Sequence, residues 1–206
     1  MYEDHFFLNR RPFNIFPEPD MLVWSEVHRM AHAMLVYGIT STHGIVAITG
    51  DIGSGKTTLL NAILNDYEHQ FHFGQLTGRW GYDGNIAAWV LYGLAQTVEG
   101  ESLSDAAATK LLKTYLMDKA AQGRKVILMI DEAQAIDHKV LEELRLVVDT
   151  LVNSQPVLQL VLLGQPELAR SVSSQNMKQF RQRIVSHYHL GPMAVSYTHL
   201  TLPTKA

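Results

Sequence analysis

The chain contains no cysteine, which excludes a disulfide framework and any thiolate metal site and fits a reducing compartment. An excess of charge of either sign is also missing, since 17 Lys and Arg stand against 20 Asp and Glu for a formal net charge of −3. No global field therefore marks a nucleic-acid binder, although a local basic patch stays open. No apolar run approaches the ~18 residues of a membrane-spanning helix. The opening MYEDHFFLNRRPF starts acidic and has no apolar core of the signal-peptide kind. This segment is thus expected neither to be exported nor to contact a membrane, and the expected compartment is the cytoplasm. What is present suits one domain: 206 residues, 47% of them hydrophobic, enough to bury a single core.

Residues 1–23 are rich in aromatics and proline, the composition of an irregular strap with apolar anchors. SEVHRMAHAMLVYGI, residues 25–39, repeats apolar residues at helical spacing behind a serine suited to an N-cap. Strand-like runs follow at 45–49, 71–76, 126–130 and 157–163, and helical stretches at 56–65, 85–98, 104–122 and 139–151. This alternation predicts an α/β fold with a parallel central sheet flanked by helices on both faces. Residues 1–40 are expected to pack as strap and helix on a nucleotide domain spanning 41–194. The tail VSYTHLTLPTKA, residues 195–206, breaks the pattern; back-translated, it resembles the transposase-end adapter of a sequencing library. It is expected to be non-native, with the natural protein continuing beyond residue 194.

Between the first strand and its helix, Gly50, Gly55, Lys56 and Thr57 fill the spacing G-x-x-x-x-G-K-[ST]. Strand, loop and helix in register are the context of a phosphate-binding P-loop. Glycines permit φ > 0 and close backbone approach, so successive N–H groups form an anion nest at a helix N-terminus. The expected nucleotide-binding set is Gly50, Asp51, Gly53, Ser54, Gly55, Lys56, Thr57 and Thr58. In it Lys56 reaches the β- and γ-phosphates and the Thr57 hydroxyl coordinates Mg²⁺. ATP and Mg²⁺ are the expected cofactors.

KVILMIDEAQ reads as a buried strand that delivers Asp131 to the magnesium shell and Glu132 as general base for the attacking water. LQLVLLGQPEL supplies another buried strand, ending at Gln165. That residue is either a γ-phosphate sensor and water-orienting amide or simply a polar turn residue before Pro166. In KQFRQRIVSHYHL, Arg181 or Arg183 is either an arginine finger for a neighbouring subunit or part of a solvated helix face. His28 and His32 share the i, i+4 spacing of helical zinc ligands but have no third ligand beside them. His187 and His189 alternate as strand residues, and Trp80 and Tyr82 sit in a glycine-rich turn suited to packing or to a partner.

With MYEDHFFLNRRPFNIFPEPDML, ITGDIGSGKTTLL, MIDEAQAIDHKVLEELR, LLGQPELAR and FRQRIVSHYHLGPM in view, the chain resembles the ExeA-like (general secretion pathway protein A) branch of AAA+ ATPases over residues 1–194. The resemblance implies a P-loop NTPase AAA+ core with ATP and Mg²⁺ at residues 50–58. It implies metal and water activation at Asp131 and Glu132, a sensor at Gln165 and a trans-acting finger at Arg181 or Arg183. It further implies a homo-oligomer, an N-terminal strap and helix near the adenine, and envelope or secretion-complex proteins as partners. The segment GRWGYDGNIAAWVLYGL departs from the asparagine-proline turn expected there. The helical lid, transmembrane helix and peptidoglycan-binding module of secretion members would lie beyond residue 194.

The expected function is Mg-dependent ATP hydrolysis that drives assembly or remodelling of an envelope complex of the type II secretion, pilus or exopolysaccharide kind. The alternative is a DNA-linked helper ATPase resembling the transposition regulators. A helicase, suggested by DEAQ, would need a Ser-Ala-Thr-like element where this chain has GQP. A nucleotide-gated scaffold without turnover is disfavoured by Glu132.

Overall fold

The computed structural model describes residues 5, 24–41, 43–95, 103–149, 151–152 and 155–191. The strap expected over 1–23, His5 aside, and the tail expected over 195–206 lie outside these residues. The strands are β1 (Ile45–Gly50), β2 (Phe71–Thr77), β3 (Lys125–Asp131), a short antiparallel pair β4 (Leu151–Val152) and β5 (Gln155–Pro156), β6 (Leu158–Gly164) and β7 (Ile184–Leu190). Five of them form a parallel sheet in the order β2-β3-β6-β1-β7. The three inner strands are buried almost throughout, which is why their sequences are near-continuous runs of Val, Ile and Leu. The edge strands β2 and β7 are half-exposed and mix in polar residues.

Successive side chains point to opposite faces, and each face has its own helices. Val46 and Ile48, Ile127 and Met129, and Val161 and Leu163 face α1 (Glu26–Ser41) and α2 (Lys56–Tyr67) through Ala31, Leu35, Leu59 and Ile63. Leu128 and Ile130 with Leu160 and Leu162 face the opposite layer. That layer comprises α3 (Ile86–Gly93), α4 (Asp105–Ala121), α5 (His138–Val148), α6 (Pro166–Val172) and α7 (Lys178–Gln182), anchored by Trp89, Leu116, Leu144 and Phe180. The expected α/β sandwich is therefore present. Among the described residues no helix is long and apolar enough to cross a membrane.

Two helix boundaries differ from the periodicity. The helix expected over 85–98 stops at Gly93, because Leu94 leaves helical geometry and Ala95 turns to φ 55°. The helix expected over 139–151 spans His138–Val148, where Asp149 caps it and accepts from Arg145 at 2.8 Å; Leu151 belongs to β4 instead. Apolar content carries on past both ends, so periodicity alone overruns them. The short helices α6 and α7 have too few turns to show a period.

The strand order sets up the site. Because β6 lies between β1 and β3, the loop after β1 and the acids after β3 flank the tip of β6. All three tips are carboxyl ends of parallel strands, where α/β sheets bind their ligands.

Candidate nucleotide site

The loop of residues 50–55 joins β1 to α2, and Gly55 stands at the N-cap of α2 with φ 88°. Only glycine fits there: a Cβ would meet Nε2 of His28 at 2.8 Å, and the left-handed conformation would strain it besides. No side chain caps α2, so the amides of its first turn stay available to an anion. Lys56 is buried, and its ammonium curls over the loop to donate to the carbonyl oxygens of Gly50 and Asp51, both at 2.8 Å.

Thr57 Oγ1 donates to Asp131 Oδ2 at 2.7 Å, linking the first turn of α2 to the tip of β3. Hydroxyl and carboxylate oxygens are the hard donors that Mg²⁺ takes. Among the described residues no group of three or more His, Cys, Asp and Glu side chains gathers to hold a metal. Thr57 and Asp131 would therefore share such an ion with phosphate and water oxygens, the usual arrangement for Mg²⁺ beside a nucleotide. An uncapped helix terminus, a buried lysine over the loop and a paired hydroxyl and carboxylate fit a magnesium nucleotide.

Glu132 follows Asp131 with φ 52°, one of two non-glycine residues at positive φ among those described. Its amide donates to Asp131 Oδ1 at 2.8 Å. Its carboxylate Oε2 accepts from the Gln134 side-chain amide and, at 3.4 Å, from Gln165 Nε2. The sheet thus brings Lys56, Thr57, Asp131, Glu132 and Gln165 to one end of the molecule.

The two arginines stand elsewhere. β7 begins at Ile184 opposite Ile45, whereas the loop follows Gly50 opposite Leu190, so Arg183, just before β7, lies on the order of 20 Å from it along the strand, while Arg181, in α7, lines a cavity with Thr49, Ser173 and His187. Arg183 pairs with Asp149 at 2.8 Å, and Asp149 also holds Arg145. Arg181 is exposed and makes a 3.4 Å contact with the Ser173 carbonyl.

Other residues take structural roles that the sequence reading did not assign to them. His28 is buried, with Nδ1 at 2.7 Å from Ser25 Oγ and Nε2 at 2.9 Å from the Ser54 carbonyl oxygen. It supports the loop, while His32 turns away to Asp66 at 3.6 Å, so the pair shares no ligand. Buried Thr49 meets both His187 Nε2 at 3.0 Å and His189 Nδ1 at 3.2 Å. Burial of its ring, and secondarily His189, holds the His187 imidazole below its ordinary value. In the glycine-rich turn Tyr82 packs on Trp89 and donates to Glu143, whereas Trp80 is 71% exposed. Polar alternation on β7 was the one sequence signal for the histidine pair, and nothing in the sequence reading pointed to Gln134.

A family model described as an AAA domain matches residues 39–172. The chain belongs to the AAA domain family. An AAA domain is a nucleotide-binding ATPase module, and the match spans the P-loop, Asp131, Glu132 and Gln165. The chain is 32% identical over 198 residues to general secretion pathway protein A of Aeromonas hydrophila, covering 94% of this chain and 35% of that protein. The ExeA-like resemblance is thus found in a curated relative, of whose length the chain spans about a third. Solved AAA+ structures share the fold. The Aeropyrum pernix ORC2 protein in its ADPNP and ADP complexes matches with TM-score 0.54 and 17% identity over 81% of this chain and 46% of that one. Cdc6p from Pyrobaculum aerophilum matches with TM-score 0.60 and 13% identity over 85% and 48%. Drosophila ORC bound to DNA matches with TM-score 0.58 and 17% identity over 82% and 44%.

Proposed function

We propose that this AAA domain binds MgATP and hydrolyses it within a homo-oligomer, and that the cycle drives assembly or remodelling of an envelope or secretion complex from the cytoplasmic side of the membrane. The observation that carries the catalytic reading is the 2.7 Å bond from Thr57 to Asp131, with Glu132 and Gln165 adjoining it. Lys56 and the first amides of α2 hold the β- and γ-phosphates. Thr57 and Asp131 would hold Mg²⁺, which would supply neutralisation of the phosphate charge. Glu132 takes the proton of the attacking water, and Gln165 orients that water or reads the γ-phosphate.

Arg181 or Arg183 completes the site of a neighbouring subunit, because Arg183 stands at the opposite end of β7 from the loop and Arg181 bonds to the Ser173 carbonyl rather than to the loop. These placements support a trans role and with it the oligomer. The identity to general secretion pathway protein A over 94% of this chain supports the envelope assignment.

Turnover is tested by phosphate release from dilute to concentrated protein. Specific activity should rise with concentration and vanish in Lys56→Ala; flat activity removes the trans finger. Glu132→Gln should keep ATP binding and lose hydrolysis, and unchanged hydrolysis removes the assigned base.

A second reading, a DNA-linked helper ATPase, is favoured by the fold-level likeness to a Drosophila ORC structure bound to DNA. It expects duplex DNA to stimulate turnover with steep salt dependence. Absence of stimulation at low salt eliminates it.

A further inference from the structure

The Gln134 side chain is committed at both ends. Its Oε1 accepts from the backbone N–H of Gln165 at 3.0 Å, and its Nε2 donates to Glu132 Oε2. The amide orientation is therefore determined by chemistry, since a backbone N–H requires the oxygen and a carboxylate requires the nitrogen. Gly164 makes the seat for it. A Cβ at that position would fall 2.9 Å from Gln134 Oε1, so only glycine at the end of β6 lets the amide approach the backbone.

Glu132 needs such a partner. It leaves β3 in the left-handed region, is exposed, and accepts on Oε1 from none of the described residues. Its other contact is the 3.4 Å approach of Gln165 Nε2, a group that a phosphate or water at the site would draw away. The Gln134 amide is what remains to aim the carboxylate when Gln165 turns.

We propose that Gln134 is a positioning residue that ties the Glu132 carboxylate to the backbone at the tip of β6, so that base and sensor keep one spacing through the ATPase cycle. The proposal rests on the assignment of Glu132 as base. Gln134 itself touches neither nucleotide nor water in this role; it acts through Glu132 and through the Gln165 backbone.

Two substitutions separate its two ends. Gln134→Ala removes both bonds. Gln134→Glu keeps an acceptor for the Gln165 N–H but replaces the donor to Glu132 with a second carboxylate. In nucleotide-free protein, hydrogen exchange at the Gln165 amide should quicken at least about tenfold in Gln134→Ala and stay slow in Gln134→Glu. In turnover both variants should lose about tenfold in kcat with KM for ATP and affinity for ADP unchanged. Unchanged Gln165 exchange in Gln134→Ala, or wild-type kcat in both variants, overturns the proposal. Failure of the underlying function looks different: Glu132→Gln would then hydrolyse normally or the wild type not at all, and the exchange measurement still decides whether Gln134 ties the two strand tips.

Discussion

His28 Nε2 donates to the Ser54 carbonyl oxygen at 2.9 Å, joining α1 to the P-loop. A carbonyl only accepts, so Nε2 carries the proton and Nδ1 is left to take the Ser25 hydroxyl at 2.7 Å. The ring also lies where a side chain on Gly55 would be, so it packs directly beneath the turn that opens α2. His28→Ala should cost about 1–3 kcal/mol of stability by orphaning the part-buried Ser54 carbonyl and the Ser25 hydroxyl. It should also weaken nucleotide binding, because the loop loses its floor. Urea denaturation and titration with a non-hydrolysable ATP analogue measure the two effects, and unchanged nucleotide affinity would contradict the supporting role.

Thr57 and Asp131 meet at 2.7 Å although 74 residues separate them. Thr57→Ala and Asp131→Asn should each raise the Mg²⁺ concentration for half-maximal turnover by about 10–100-fold, the usual scale for disturbing a metal's ligand shell. Thr57→Ser should restore the wild-type requirement. A magnesium titration that superimposes for wild type and Thr57→Ala would show the hydroxyl to be structural only.

Arg181 and Arg183 predict opposite phenotypes. Arg183 is held by Asp149, which also holds Arg145, so Arg183→Ala should lower stability. Arg181 has one weak contact, so Arg181→Ala should leave the melting temperature unchanged and reduce turnover by on the order of 10³-fold, as losing a trans finger does. Mixing Arg181→Ala with Lys56→Ala should restore activity, because each chain supplies what the other lacks. Two inactive partners that stay inactive together would remove Arg181 as the finger.

Lys125 opens β3 and donates from Nζ to the Ile39 carbonyl oxygen at 2.8 Å near the end of α1. Burial pushes its ammonium down from 10.5 to about 8. Between those values the unfolded chain binds the proton and the folded chain does not, so raising the pH through this window favours the folded state. Below about pH 8 both states are protonated and the burial penalty applies in full. Stability measured by urea denaturation should therefore climb from pH 8 toward 10.5 in wild type, and Lys125→Met should flatten that climb.

The parts of the site that could be read in sequence are those whose chemistry is local. The loop from Gly50 to Thr57 announces itself because glycines, lysine and threonine must stand at fixed offsets between one strand and one helix. Asp131 and Glu132 were visible for a similar reason, as charges that end a run of buried apolar residues. Helix ends were less legible: α3 stops at Gly93 and α5 at Val148 through tertiary packing and capping, while the apolar pattern runs on.

Gln134, His28 and Thr49 carry no spacing that betrays their partners, since each meets a distant part of the chain through packing that sequence does not display. His28 even carried a misleading signal, the i, i+4 spacing to His32.

The sequence by itself determined the parallel α/β layering and the phosphate loop, because burial of both sheet faces and φ > 0 at glycine are demands met residue by residue. Only the tertiary structure decided that β6 lies between β1 and β3. That order sets Gln165 beside Glu132 and seats Gln134 against Gly164, while the pairing of β7 with β1 puts Arg183 at the far end. Such contacts depend on which strands become neighbours, a choice made by the packing of the whole core.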